Sequence, residues 1–165
     1  NPLYYHFHEN EGDPEVNFYE YGLQNSRGFR ALKVWLALRQ AGRQGYVDMI
    51  REDCRLTQIL AGKVRQHPEL EFFTCEMSIA TFRYIPTNLP GTDNNGEYLN
   101  KLNTAILEHL RKTGEFFLSN AVIGGRFLLR SCIVNFRTSL REMEILPDIV
   151  VRVGRELDQK LRPAS

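Results

Sequence analysis

Two consecutive glycines, Gly124-Gly125, stand between two apolar runs, and they constrain the fold more than any other feature of the chain. Glycine adopts the positive φ that a two-residue hairpin turn needs at both central positions. The flanking runs, Phe116 to Ile123 and Arg126 to Asn135, therefore read as adjacent antiparallel strands. An earlier pair of short aromatic-rich runs, Leu70 to Thr74 and Ser78 to Ile85, reads as antiparallel neighbours too.

Helical periodicity fills the remainder. Phe29, Leu32, Leu36 and Leu38 recur on one side of a segment over 27–41, with Ser26 as its cap and Gly42 as its stop. Tyr46, Met49, Ile50, Leu56, Leu60 and Val64 continue at helical spacing until His67-Pro68 ends the pattern. After a turn-rich loop over 87–96, Tyr98, Leu99, Leu102, Ile106 and Leu110 mark a third helix, closed by Gly114. The last helix opens on the capping box Ser139-Leu140-Arg141-Glu142 and carries Leu146, Val150, Val153 and Leu157, with Pro147 expected to kink it or begin a new first turn. The order helix, helix, strand, strand, helix, strand, strand, helix is that of an α+β domain: a small, mainly antiparallel sheet covered by helices on one face. Residues 1–25 have no stable period and read as a loop and lead-in, and residues 26–165 read as one domain.

Charge and composition exclude whole classes of function. With 21 Lys plus Arg against 20 Asp plus Glu, the net charge of +1 gives no broad field for coating nucleic acid or an acidic membrane. No apolar run approaches the roughly 18 to 20 residues that cross a bilayer. The first residues carry neither a basic start, an apolar signal core nor an initiator Met, which reads as a start part-way through a longer protein. Cys54, Cys75 and Cys132 are odd in number and lack CxxC spacing, which argues against a disulfide framework or zinc site and for the cytoplasm.

Few residues offer chemistry by pattern alone. His6 and His8, with Glu9 and Glu11 nearby, could approach a metal, but no third ligand is fixed by spacing, and a solvated loop is the simpler reading. All three cysteines read as small core fillers, and glycine-rich phosphate loops are absent. Ser26, before the free amides of a first helical turn, reads as either a phosphate seat or a plain cap. Arg130 shares a strand face with Leu128, Cys132 and Val134, so a buried guanidinium there requires an anion: an internal carboxylate or a substrate carboxylate. Arg137 raises the same question, and solvent or helix capping answers it more simply.

Two segments go beyond composition: Tyr21-Gly22-Leu23-Gln24-Asn25-Ser26-Arg27-Gly28-Phe29-Arg30-Ala31-Leu32-Lys33-Val34-Trp35, and Arg126-Phe127-Leu128-Leu129-Arg130-Ser131-Cys132-Ile133-Val134-Asn135-Phe136-Arg137-Thr138. Together they resemble the C-terminal portion of the group II pyridoxal-phosphate-dependent amino-acid decarboxylases, the family of aromatic-amino-acid, glutamate and histidine decarboxylases. The resemblance implies the small C-terminal domain of an aspartate-aminotransferase-type fold and, for the complete protein, a homodimeric carboxy-lyase that turns an L-amino acid into its amine and carbon dioxide. It places the Schiff-base lysine for pyridoxal 5'-phosphate in a large upstream domain, so the chain alone is expected to be inactive, and neither Lys33 nor Lys101 lies in the family's lysine motif. Asn1-Pro2-Leu3-Tyr4 resembles the family's mobile loop, which makes Tyr4, with Tyr5 adjacent, the implied general acid. Ser26 falls where the family approaches the cofactor phosphate, and Arg130 where glutamate decarboxylases meet the substrate carboxylate. Gly28 departs from the second arginine that many members carry. The residues themselves leave a second reading open, a non-catalytic interaction or structural domain of the same fold.

Overall fold

The computed structural model describes residues 21, 23, 28–89 and 95–162. The chain divides into two units, residues 1–42 and 43–165, each described here by itself. Helix α1 is Arg30–Gln66, interrupted at Gly42, whose φ of 64° and ψ of 176° are not helical. The positive φ at the glycine breaks the helical run there, as the stop signal predicts. The run begins at Arg30 rather than at 27, and Ser26 lies outside the described residues. Leu32, Leu36 and Leu38 of this first unit are exposed, and the Arg39 guanidinium lies 5.6 Å from the Trp35 ring centroid.

In the second unit, α1 buries Leu56, Leu60 and Val64, spaced three to four residues apart, on a stripe that joins the main core. Four strands follow in two hairpins: β1 (Leu70–Glu76), β2 (Ile79–Tyr84), β3 (Ser119–Ile123) and β4 (Arg126–Cys132), with helix α2 (Asn95–Thr113) between the pairs and helix α3 (Leu140–Leu161) last. The sheet order is β1-β2-β4-β3, and every neighbouring pair is antiparallel. Gly124 and Gly125 have φ of 56° and 76°, the geometry of the expected two-residue turn. Ala80, Phe82, Tyr84 and Leu129 point from the two central strands into a core shared with Leu102, Ile106, Leu110, Leu146 and Val150 of α2 and α3. Fold class and helix coverage thus follow the sequence reading.

Several boundaries differ. β3 starts at Ser119 rather than Phe116, and β4 stops at Cys132 rather than Asn135. Cys132 pairs with Ile79, the first residue of β2, so the partner strand runs out there. The same edge position leaves Cys132 exposed, which corrects its reading as a core filler; Cys54 and Cys75 are partly buried. α2 begins at Asn95, three residues before Tyr98. α3 passes through the buried Pro147 as one helix, so no new first turn begins there. Its sixteen-position apolar stripe from Leu146 to Leu161 outweighs the loss of one backbone hydrogen bond.

Tyr84 ties these elements together. Asn103 of α2 accepts its N–H through Oδ1 at 2.8 Å and donates Nδ2 to its carbonyl at 3.0 Å. Its ring lies so close to α3 that a Cβ built on Gly154 would meet ring carbon Cδ1 at 2.6 Å. Its hydroxyl donates to Glu69 Oε1 at 3.1 Å, and Arg155 of α3 donates to both Glu69 oxygens. Burial, then the adjacent Glu69 charge, pushes the Tyr84 phenol well above its ordinary range.

Gly154→Ala is expected to lower folding stability by about 1–3 kcal/mol despite the better helix propensity of alanine, because the buried Tyr84 ring must move. Thermal unfolding measures it. Glu69 gives a pH signature: the Arg155 hydrogen bond, aided by the Tyr84 hydroxyl and opposed by burial, holds its carboxyl below the usual value. A depressed folded-state pKa contributes stability that is full above the unfolded value, near ~4.3, and is lost as pH falls through the folded one. Urea titrations from pH 6 to pH 3 should show a smaller acid loss in Glu69→Gln than in the wild type.

Candidate functional site

Strand alternation sends Leu129 into the core and Arg130 to the opposite face, where its cross-strand neighbours are Thr81 on β2 and Ser119 on β3. Arg130 is half-buried, and its Nη1 donates to Ser119 Oγ at 3.2 Å. Among the described residues it makes no ion pair, so the internal-carboxylate reading is not met. A guanidinium with five donors and one neutral hydroxyl partner keeps donor capacity for an anion. The companions expected on its face split: Leu128 is buried, whereas Cys132 and Val134 are exposed, because that end of β4 lies at the rim of the sheet.

Arg130 lines a cavity of about 550 Å³ bounded by the segment 114–119, the segment 130–135 and the first turns of α3. Phe116, Met143 and Leu146 give it apolar walls, while Arg130, Ser119, Ser131 and Glu142 supply polar groups. A cavity of that size with few convergent polar groups has the proportions of a small-molecule site. Glu142 reaches it from the start of α3, where Ser139 donates its N–H at 2.8 Å and its hydroxyl at 2.5 Å to Glu142 Oε2. The Ser139 hydroxyl first, then the backbone N–H, holds the Glu142 carboxyl below its usual range, so it is an anion at neutral pH. On the same sheet face as Arg130, Arg83 is buried, donates Nε to Glu71 Oε2 at 2.5 Å, and has an Nη1 without a hydrogen-bond partner among the described residues.

The other expected site residues fall as follows. Tyr4, Tyr5, His6, His8 and Ser26 lie outside the described residues. Among the described residues no three His, Cys, Asp or Glu side chains are arranged to hold a metal, and no helix is long and apolar enough to cross a membrane. His67 Nδ1 accepts the Glu69 N–H at 3.1 Å beside the end of α1, and His109 lies on α2, both structural positions. Arg137 is exposed, its guanidinium 5.4 Å from the Phe136 ring centroid. The five lysines, Lys33, Lys63, Lys101, Lys112 and Lys160, are all exposed, and none lines the cavity, so the described residues do not fit a covalent cofactor attachment there.

Sequence reasoning missed Ser119 and Glu142 as cavity residues. Counting back from the glycine pair would have found Ser119, since a two-residue turn at 124–125 places 119 opposite 130. Glu142 was visible only as a capping residue.

Comparison with known proteins adds an independent line. The pyridoxal-dependent decarboxylase conserved domain matches residues 1–85. An aromatic-L-amino-acid decarboxylase of Bacillus atrophaeus is 32% identical over 143 residues, covering 86% of this chain and 29% of that protein. Tyrosine decarboxylase 2 of Arabidopsis thaliana is 31% identical over 131 residues, 79% of this chain and 23% of that protein. The chain therefore spans less than a third of the length of these relatives. The solved structure of mouse CSAD in apo form superposes with a TM-score of 0.77 at 20% identity, covering 88% of this chain and 32% of that one, which supports the fold.

Because no ion pair is broken, Arg130→Met should change folding free energy by less than about 1 kcal/mol in thermal unfolding. A loss of about 3–5 kcal/mol, the cost of breaking a buried ion pair, would reveal a carboxylate partner and remove the anion site.

Proposed function

The chain belongs to the pyridoxal-dependent decarboxylase family, and from that premise we propose that it is the small C-terminal domain of an amino-acid decarboxylase. The observation that carries the reading is Arg130: half-buried, facing a 550 Å³ cavity, and without a carboxylate partner among the described residues. Its guanidinium receives the substrate carboxylate and fixes the ligand's orientation, while Phe116, Met143 and Leu146 exclude water from the rest of the ligand. Pyridoxal 5'-phosphate, when bound, supplies the electron sink that makes loss of carbon dioxide feasible. Its attachment is assigned to a lysine of a large domain outside this chain, since no lysine here lines the cavity. Ser26 is the proposed contact to the cofactor phosphate, and Tyr4 the proposed donor of a proton to the substrate carbon, acting on the neighbouring subunit of a homodimer. The three free thiols favour a reducing compartment, the cytoplasm.

The second reading, a non-catalytic domain of the same fold, draws on the same lack of a cavity lysine. Assay of the complete protein with pyridoxal 5'-phosphate separates the two: the enzyme reading requires carbon dioxide and amine from an L-amino acid, the other requires neither. In the active protein, Arg130→Gln should reduce kcat/KM by about 10- to 150-fold, mainly through KM, as expected from losing a charge-assisted hydrogen bond of roughly 1.5–3 kcal/mol. Tyr4→Phe should slow amine formation more than it weakens substrate binding. An unchanged kcat/KM in Arg130→Gln, or an unchanged rate of amine formation in Tyr4→Phe, removes that residue from the mechanism.

A further inference from the structure

Glu71 and Arg83 are paired across β1 and β2, on the sheet face opposite to the one that Ala80, Phe82 and Leu129 turn to the helical core. One carboxylate there meets two guanidiniums. Arg83 Nε donates to Glu71 Oε2 at 2.5 Å, and Arg126 Nη1, from β4, lies 3.6 Å from Oε1. Phe73, set off by the register shift between Phe72 and Thr74, brings its ring centroid within 5.6 Å of Arg83 Cζ and 5.5 Å of Arg126 Cζ.

The cluster carries one positive charge in excess, and part of it rests on a group that water hardly reaches. The Arg83 side chain is 8% exposed, and its buried Nη1 has no hydrogen-bond partner among the described residues. Both Glu71 oxygens already face a guanidinium, so that carboxylate does not satisfy Nη1 as well. A buried charged donor left unpaired is costly, whereas Arg126, half-exposed, loses little by its long contact.

We propose that this face docks a carboxylate-bearing segment from the part of the complete protein outside this chain, its Asp or Glu side chain accepting from Arg83 Nη1 and Arg126. The inference rests on the reading of the chain as one domain of a longer decarboxylase. The chain spans less than a third of the length of the relatives it matches, so most of such a protein is available to supply the segment. Charge complementarity fixes the chemistry of the occupant, since an anion removes the excess charge and satisfies the orphaned donor together. The Phe73 ring, itself only half-buried, turns aside to admit it. Arg83 then joins two parts of the protein and takes no part in the reaction.

Zero-length carbodiimide cross-linking of the complete protein carrying Arg83→Lys tests this, because the reagent joins an amine only to a carboxylate in direct contact. Peptide mass mapping should find position 83 joined to an Asp or Glu outside residues 1–165, and the joint should be lost when the protein is unfolded in urea before the reagent is added. Cross-links from position 83 confined to carboxylates of residues 1–165, Glu71 included, or none at all in the folded protein, overturn the proposal. A second measurement needs no variant: Arg126, half-exposed in this chain, should lose its reactivity toward phenylglyoxal in the complete protein, and equal reactivity in the two overturns the docking. Carbon dioxide release by a complete protein that fails these tests removes the docking and leaves the decarboxylase reading standing. Docking without carbon dioxide release does the reverse.

Discussion

The ring of Tyr84 lies against the backbone of α3 at Gly154, with no room for a Cβ between them, and this contact fixes where the last helix can sit. Around it the polar groups are satisfied in turn. Asn103 holds both backbone groups of Tyr84, the phenol donates to the buried Glu69, and Arg155 closes the network from α3. One aromatic side chain therefore refers β2, α2 and α3 to a common point. Tyr98 repeats the device one turn further along α3: its hydroxyl donates to Asp158 at 2.5 Å, and burial followed by that hydrogen bond pushes it up to about 12.

The two charged groups of the cavity hang on separate branches from this point. Arg130 is placed by strand pairing, since β4 registers on β2 through Thr81 and on β3 through Ser119. Glu142 is placed by α3, whose first turn is fixed by Ser139 and whose body is fixed by the Tyr84 contact. Arg130 and Glu142 therefore line the cavity from different elements, and no ion pair between them is found among the described residues. Had both sat on one element at hydrogen-bonding distance they would have neutralised each other, and the cavity would offer a ligand little but apolar wall.

Much of this was legible in the residues. Gly124-Gly125 announced a hairpin, Gly42 and Gly114 announced helix ends, and the capping box announced α3, because backbone conformation at those positions depends on local chemistry. What depends on tertiary neighbours was not legible. Cys132 looked like core because its strand is apolar, and only the length of β2 shows that it stands at the rim. Pro147 looked like a break because propensity is local, while the burial of Val150, Val151 and Val153 around it is not. Arg130 was correctly suspected from alternation alone, but whether a carboxylate of this chain already paired with it required coordinates. Glu142 shows the opposite failure: a complete local explanation, helix capping, hid its place in a cavity.

The central claim is that Arg130 has donors committed to no group among the described residues and available to a carboxylate. Side-chain NMR of ¹⁵N-labelled arginines, recorded while 3-phenylpropanoate is added, observes those donors directly. The account predicts that the Arg130 Nε–H signal shifts saturably and exchanges more slowly with water, and that both changes vanish in a chain lacking that guanidinium. An unshifted Arg130 signal, or a response confined to other arginines such as Arg83, would contradict it.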